Sequence, residues 1–242
     1  MQDQIPEHVI PFVTWILISH NKPKYVCEAI NSVYNQTFSD WRCIVVDSGV
    51  LYDSGYFDQQ PAMKDARFTL IRSTETDEIK RTRILHSWCI NKLFRDGLVK
   101  SEFVMYGCDD DWLYPDAFKS FFDFYQQNKD TEAMYGSMNF IAQRADGRQR
   151  TLRKIVANVD RGKFCGGPSL DCQVDGGQIC HKVSLLKKIP GEEYWPEDLA
   201  WHRHADGGIL EKIGSLAAIK AVNVDVGVNR KVPESVNSAG VA

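Results

Sequence analysis

The sequence predicts an α/β chain built on a mostly parallel central sheet flanked by helices. Three observations predict it. Short β-branched runs, too uniformly apolar to have one wet face, alternate with helical stripes. The first strand, helix and strand succeed one another with no hairpin signal, which is the connection that parallel pairing requires. Three of the runs end in polar or acidic residues, at the strand ends where open α/β sheets bind ligands.

Taken in order, residues 12–19 read as a strand buried on both faces, broken by Asn21-Lys22-Pro23. Pro23 suits a first helical turn, and Tyr25, Ala29, Ile30 and Val33 supply an apolar stripe to about Asn35. Residues 41–47 form a second strand ending in Asp47-Ser48-Gly49, residues 50–65 are turn-rich, and residues 67–72 form a third strand. Residues 77–95 read as one helix, with Leu85, Trp88, Cys89 and Leu93 along it. Residues 102–106 make a fourth strand that runs into Gly107, Cys108 and the triplet Asp109-Asp110-Asp111. An aromatic helix over 115–127 and a strand over 133–141 close the first half. The second half is less regular. Residues 143–153 are polar and basic with Asp146-Gly147 as a hairpin turn, and residues 160–177 form an irregular loop. Short helices at 183–188 and 205–213 and a strand at 216–224 follow.

The 242 residues suit one domain over 1–242, divided near residue 140. Lys+Arg is 29 and Asp+Glu is 32, a net charge of −3, which argues against a dedicated nucleic-acid binder. No basic segment precedes an apolar stretch at the N-terminus, so no secretory signal is expected, and the run at 9–18 is too short to span a bilayer. The seven cysteines form no C-x-x-C pair and read as reduced thiols of a cytoplasmic protein.

Neither a G-x-G-x-x-G nor a P-loop is present, so those phosphate-binding solutions are unsupported. Asp109, Asp110 and Asp111 form the strongest local feature. Three adjacent carboxylates repel one another, and a hard divalent cation such as Mg²⁺ or Mn²⁺ removes that conflict. The alternative is a solvated acidic turn before the helix that starts near Pro115. Farther on, Glu197, Asp198, His202, Arg203 and His204 make either a solvated charged loop or part of a site. Asp206 suits a helix cap, and Trp195 either a core position or a ligand-stacking platform. His181 reads as a structural histidine. His202, His204 and Asp206 suit zinc only on an extended segment, where alternate side chains share a face.

The residues 13–25 (VTWILISHNKPKY), 31–38 (NSVYNQTF) and 43–47 (CIVVD) resemble the start of a family 2 glycosyltransferase of the GT-A, Rossmann-like fold. The segment 106–116 (YGCDDDWLYPD) resembles that family's DXD motif. Residues 175–182 (DGGQICHK), Tyr194-Trp195 and 202–206 (HRHAD) follow in matching order, most like the spore-coat polysaccharide members. The resemblance implies inverting transfer from a nucleotide-diphospho-sugar (UDP-, TDP- or GDP-linked) to a hydroxyl of a glycan, lipid-linked or other acceptor. Nucleic acid is not an expected partner, and peripheral membrane contact is compatible with the absence of a spanning segment. It implies a nucleotide-sugar half over about 10–140 and an acceptor half over about 141–230.

By the same resemblance, Asp110 and Asp111 hold Mn²⁺ or Mg²⁺, and Asp109 faces ribose or sugar. Ile18, His20, Asp47 and Ser48 take the base-pocket positions, and Arg81 and Arg83 meet the diphosphate. Asp206 is the general base, with the acidic pair Glu197-Asp198 as rival, and Asp175, Trp195, Arg203 and His204 lie on the acceptor side. Two departures fall in the base pocket: Ser48 stands where the family often has a second acid, and His20 where it usually has Tyr. Two other readings stay open. One is a non-catalytic nucleotide-sugar-binding domain. The other is a sugar nucleotidyltransferase, which would want a Gly-rich loop that residues 19–25 lack.

Overall fold

The computed structural model describes residues 10–49, 51–73, 76–161, 174–202 and 204–233. Strand β1 (Val13–Ser19) leads through α1 (Pro23–Tyr34) to β2 (Trp41–Asp47). Three 3-10 turns then precede β3 (Phe68–Arg72). Helices α2 (Thr76–Thr82) and α3 (Leu85–Arg95) lead to β4 (Phe103–Cys108) and the two-residue β5 (Trp112–Leu113). Next come α4 (Ala117–Gln127), β6 (Ala133–Gln143), β7 (Gln149–Ile155) and β8 (Ile179–Lys182). The short α5 (Val183–Leu186), then α6 (Ala205–Leu216) and β9 (Ile219–Lys231) complete the described chain.

One sheet runs through both halves in the order β3-β2-β1-β4-β8-β6-β9-β5, with β7 pairing the later part of β6, beyond β8. The first four strands pair in parallel, as do β6 and β9, whereas β8 is antiparallel to both neighbours. All seven residues of β1 are buried, and their alternation explains why. Val13, Trp15 and Leu17 face a core with α1 and α4, whereas Ile16 and Ile18 face a second core with α3 and α6. Helix α1 meets the first core through Val26, Ala29, Ile30 and Val33, a spacing of three and four that keeps one face apolar. No helix among the described residues is long and apolar enough to cross a membrane.

Three sequence expectations need correction. The helix expected over 77–95 is two, because Ile84 leaves helical geometry (φ −73°, ψ 111°) and donates its N–H to the Glu197 carbonyl at 2.8 Å. The strand expected at 216–224 begins three residues later and extends to Lys231, since α6 continues to Leu216. The second half is also more regular than its sequence suggests, because β6, β8 and β9 complete the same sheet. The hairpin at Asp146-Gly147 forms as expected, with Gly147 at φ +87°, a conformation that suits glycine. Most of the loop expected at 160–177 lies outside the described residues.

A tertiary clamp holds the α2–α3 break. Glu197 is buried, and Arg83, Arg95 (3.0 Å) and the Asn91 amide (2.9 Å) all donate to its carboxylate. Burial alone would raise its pKa, but these three donors outweigh it and hold the acid below its usual value. The Arg partners are partly exposed, so losing the charge strands no buried cation. Glu197→Gln should therefore lower stability by roughly 1–3 kcal/mol in urea unfolding, whereas no change would remove the clamp from the structural account.

His181 on β8 is fully buried, with Nδ1 3.0 Å from the Lys182 carbonyl and Nε2 2.8 Å from the Tyr106 hydroxyl. The natural tautomer therefore donates from Nδ1 and accepts the Tyr106 proton at Nε2. Burial lowers its pKa from 6.5 to about 4. Between those values the unfolded chain binds the extra proton, so this group's contribution is full above pH 6.5 and lost as pH falls toward 4. The loss amounts to about 3 kcal/mol. In His181→Gln the fall in unfolding free energy across that window should be shallower than in the parent, and an identical slope would assign the effect elsewhere.

Candidate active site

The acidic triplet is a three-residue crossing between strands. Cys108 ends β4, which pairs with β1, and Trp112 opens β5, which pairs with Val228 of β9. The chain is thus pinned on both sides of Asp109, Asp110 and Asp111, and all three are buried, at 2%, 5% and 6% exposure. Gly107 permits this path. A Cβ there would stand 2.1 Å from Cζ2 of Trp15, which fills the space beneath.

Burying three carboxylates side by side requires compensation, and each acid has its own. The His20 N–H (2.7 Å) and the Ser19 hydroxyl (3.4 Å) donate to Asp109 Oδ2. The Lys22 ammonium bridges Asp109 Oδ1 at 3.0 Å and Asp110 Oδ2 at 2.9 Å. From β9, the Arg230 N–H donates to Asp111 Oδ1 at 3.0 Å, and Arg230 Nε to the Asp110 carbonyl at 2.9 Å. The guanidinium is wedged between the Tyr25 and Trp112 rings, 4.7 Å from each centroid, and bonds Glu28 and Gln143. Compensation is incomplete. Burial, opposed by Lys22, still lifts Asp109 to about 6, and burial with repulsion from Asp110 and then Asp175 pushes Asp111 well above the carboxylate range.

The residues fit a hard divalent cation. Asp110, Asp111 and Cys108 each present a ligand atom, all within 4.8 Å of one another. Carboxylate oxygens suit Mn²⁺ or Mg²⁺, whereas the thiol is a soft donor. A cation there would also relieve the repulsion that lifts Asp111.

On the β1–β2 side, the pairing of Ser19 with Asp47 brings the expected base-pocket residues together. His20 Nδ1 lies 2.9 Å from the Ser48 carbonyl, and the Ser48 hydroxyl donates to the Ser19 carbonyl at 2.9 Å. Lys80 of α2 donates to His20 Nε2, so α2 leans over this end of the sheet. Burial and then the nearby Lys80 charge lower the His20 pKa. Asp47 is fully buried and accepts the Gly49 N–H at 3.1 Å, while Ile18 is buried in the core beneath.

The second-half residues approach through the turn at Asp175. Its carboxylate caps that turn by accepting the Gly177 N–H at 2.9 Å, and its charge is felt by Asp111. The next residue, Gly176, donates its N–H to Asp206 Oδ2 at 3.2 Å. Asp175-Gly176 therefore links the triplet's surroundings to Asp206 in the first turn of α6, where the helix dipole favours negative charge.

Other expected site residues are placed differently. Trp195 is 2% exposed and meets the Tyr106 ring edge-on at 4.9 Å. It packs beneath Gly176 rather than offering a face to an acceptor. Arg83 is paired to Glu197, while Arg81 is exposed on α2. Both rivals for the base role have structural tasks, Glu197 in its clamp and Asp198 in capping a 3-10 turn through the Ala200 N–H. His204 is exposed before α6, and Arg203 lies outside the described residues. His202 has helical backbone angles and Asp206 lies in α6, so the extended geometry that zinc would need is not met. Lys22 and Arg230 escaped the sequence reading. Lys22 stood out only as the residue before Pro23, and Arg230 lay beyond the expected end of its strand.

Comparison with known proteins bears on the family and the fold. The model of the family described as Glycosyl transferase family 2 matches residues 14–184, more than half of the chain. Protein CgeD of Bacillus subtilis (strain 168) is 24% identical over 235 residues, covering 94% of this chain. The chain spans 52% of the length of CgeD. Among solved structures, S. aureus TarS 1-349 superposes with a TM-score of 0.57 at 16% identity, over 90% of this chain and 60% of that one. The same TarS fragment in complex with UDP-GlcNAc gives a TM-score of 0.55 at 14% identity, over 95% and 61% of the two chains. The strand order, the acidic crossing and the family match lead to one conclusion: this chain belongs to glycosyl transferase family 2 and has the GT-A fold.

Proposed function

We propose that the chain transfers a sugar, with inversion, from a nucleotide-diphospho-sugar to an acceptor hydroxyl. The observation that carries this reading is the buried triplet Asp109–Asp111 at the β4 exit. The β1 end flanks it on one side, and Asp175, leading to Asp206, on the other. The similar TarS structures solved with UDP-GlcNAc and with UDP support a nucleotide-diphosphate donor. The five described cysteines are free, in keeping with the cytoplasmic location we propose.

In this reading Asp110 and Asp111 hold Mn²⁺ or Mg²⁺. The bound ion supplies Lewis-acid stabilisation of the charge that grows on the diphosphate. Asp109 orients the ribose or sugar through Oδ1, the oxygen that Ser19 and His20 do not engage and that Lys22 holds in this structure. His20, Ser48, Asp47 and Ile18 form the base end of the pocket, and Lys80 closes it from α2. Arg81 is available to the diphosphate, whereas Arg83 would first have to leave Glu197. Asp206 removes the proton of the acceptor hydroxyl as it attacks the anomeric carbon from the face opposite the departing phosphate. Gly176 holds that carboxylate in place through its N–H.

Two measurements test this reading. In calorimetry, at least one of UDP, GDP and TDP should bind with Mn²⁺ and lose most of its affinity in EDTA. Metal-independent binding, or none, would defeat the metal role. Asp206→Asn should keep Mn²⁺-dependent nucleotide binding and lose about 10²–10⁴-fold in donor turnover, read as transfer or as leakage to water. Turnover at the parent rate would remove Asp206 from the base role and return the acidic pair to consideration.

A further inference from the structure

The carboxylate of Asp110 belongs to two sets of groups at once. With Asp109 it receives the Lys22 ammonium at 2.9 Å, and with Asp111 and Cys108 it forms the cluster whose ligand atoms lie within 4.8 Å. A monovalent and a divalent cation thus have a claim on the same acid. The claims conflict, because an ammonium about 3 Å from a carboxylate repels a dication bound to that carboxylate strongly in a buried setting.

The backbone of Lys22 is fixed at the start of α1, and its ammonium reaches the acids on a flexible stem. The residue precedes Pro23 at the start of α1, and its carbonyl accepts the N–H groups of Tyr25 and Val26, both at 3.1 Å. Asn21 before it takes a left-handed φ of +58°. The ammonium therefore sits on a four-carbon stem anchored beside the acids, with three donors free to rotate among oxygen partners. Arg230 is not equivalent. Its contacts with the triplet run through its backbone N–H and Nε, and its Nη1 donates to Glu28 and Gln143.

Resting on the reading above, we infer that Lys22 is a tethered counter-ion that competes with the divalent cation for Asp110 and moves to the donor diphosphate when the nucleotide arrives. Without nucleotide, the ammonium neutralises the acids and weakens metal binding. The diphosphate offers Lys22 other oxygens and frees Asp110 for the metal. Metal and nucleotide then bind cooperatively, and by linkage each raises the affinity of the other equally.

The test is Mn²⁺ binding, followed by the electron paramagnetic resonance signal of free Mn²⁺, with and without UDP. If calorimetry favours GDP or TDP, that nucleotide replaces UDP. The parent protein is compared with Lys22→Met and with Lys22→Gln, which keeps a hydrogen-bond donor beside the acids should Met impair folding. Without nucleotide, the variants should bind Mn²⁺ about tenfold or more tighter than the parent. The gain in Mn²⁺ affinity on adding nucleotide should be large in the parent and small in the variants. Thermal melts give a second readout, since Mn²⁺ alone should raise the midpoint of the variants more than that of the parent. Unchanged or weaker Mn²⁺ binding in folded variants, with the parent still binding Mn²⁺ and nucleotide together, overturns the role of Lys22 alone. If the parent binds no Mn²⁺ even with the nucleotide, the metal-dependent reading falls and this inference with it.

Discussion

Three neighbouring carboxylates withdrawn from water are the constraint on which this molecule turns. A buried acid is tolerated only when donors or cations surround it, and Asp109, Asp110 and Asp111 leave little room for error. The fold answers by crossing between two strands at that point. The β1 end supplies Ser19, His20 and Lys22, and β9 supplies Arg230. These partners lie about 90 residues before and 120 residues after the triplet, so the acids are stable only when the sheet is complete. The compensation stops short of full, and the site keeps an appetite for positive charge.

The same economy governs the second half of the chain. The second half could have supplied a base from several acids, Asp175 and those near residue 200. The structure gives most of them other work. Glu197 secures the break between α2 and α3, Asp198 caps a turn, and Asp175 caps the turn that leads to Gly176. Asp206 accepts the Gly176 N–H from that turn, whose preceding residue, Asp175, acts on Asp111 through its charge. Structural tasks are thus divided unevenly among carboxylates that look interchangeable in the sequence.

Much was legible before any coordinates. The odd–even alternation of β1, the α1 stripe and the acidic run after β4 each follow from a local rule, and each stands within a residue or two of its expected place. The second half was less legible because β8 and β9 are short or mixed in character and owe their strand state to neighbours far along the chain. The single helix expected over 77–95 failed for a similar reason. Its apolar spacing continues, but the Ile84 N–H is taken by Glu197, more than a hundred residues away. Trp195 shows the limit for a single residue, since a buried indole and a ligand platform have the same local sequence signature.

The sequence by itself determined the α/β class, the strand–helix order of the first half, and the presence of acids at a strand exit. These follow from periodicity and turn chemistry over a few residues. Only the tertiary structure decided which cations meet those acids, which arginine is committed elsewhere, and which turn carries Asp175 close enough for its charge to act on Asp111. The physical reason is that charge compensation acts through space over a few ångströms. Its partners are chosen by how the sheet closes, and no spacing along the chain records that choice.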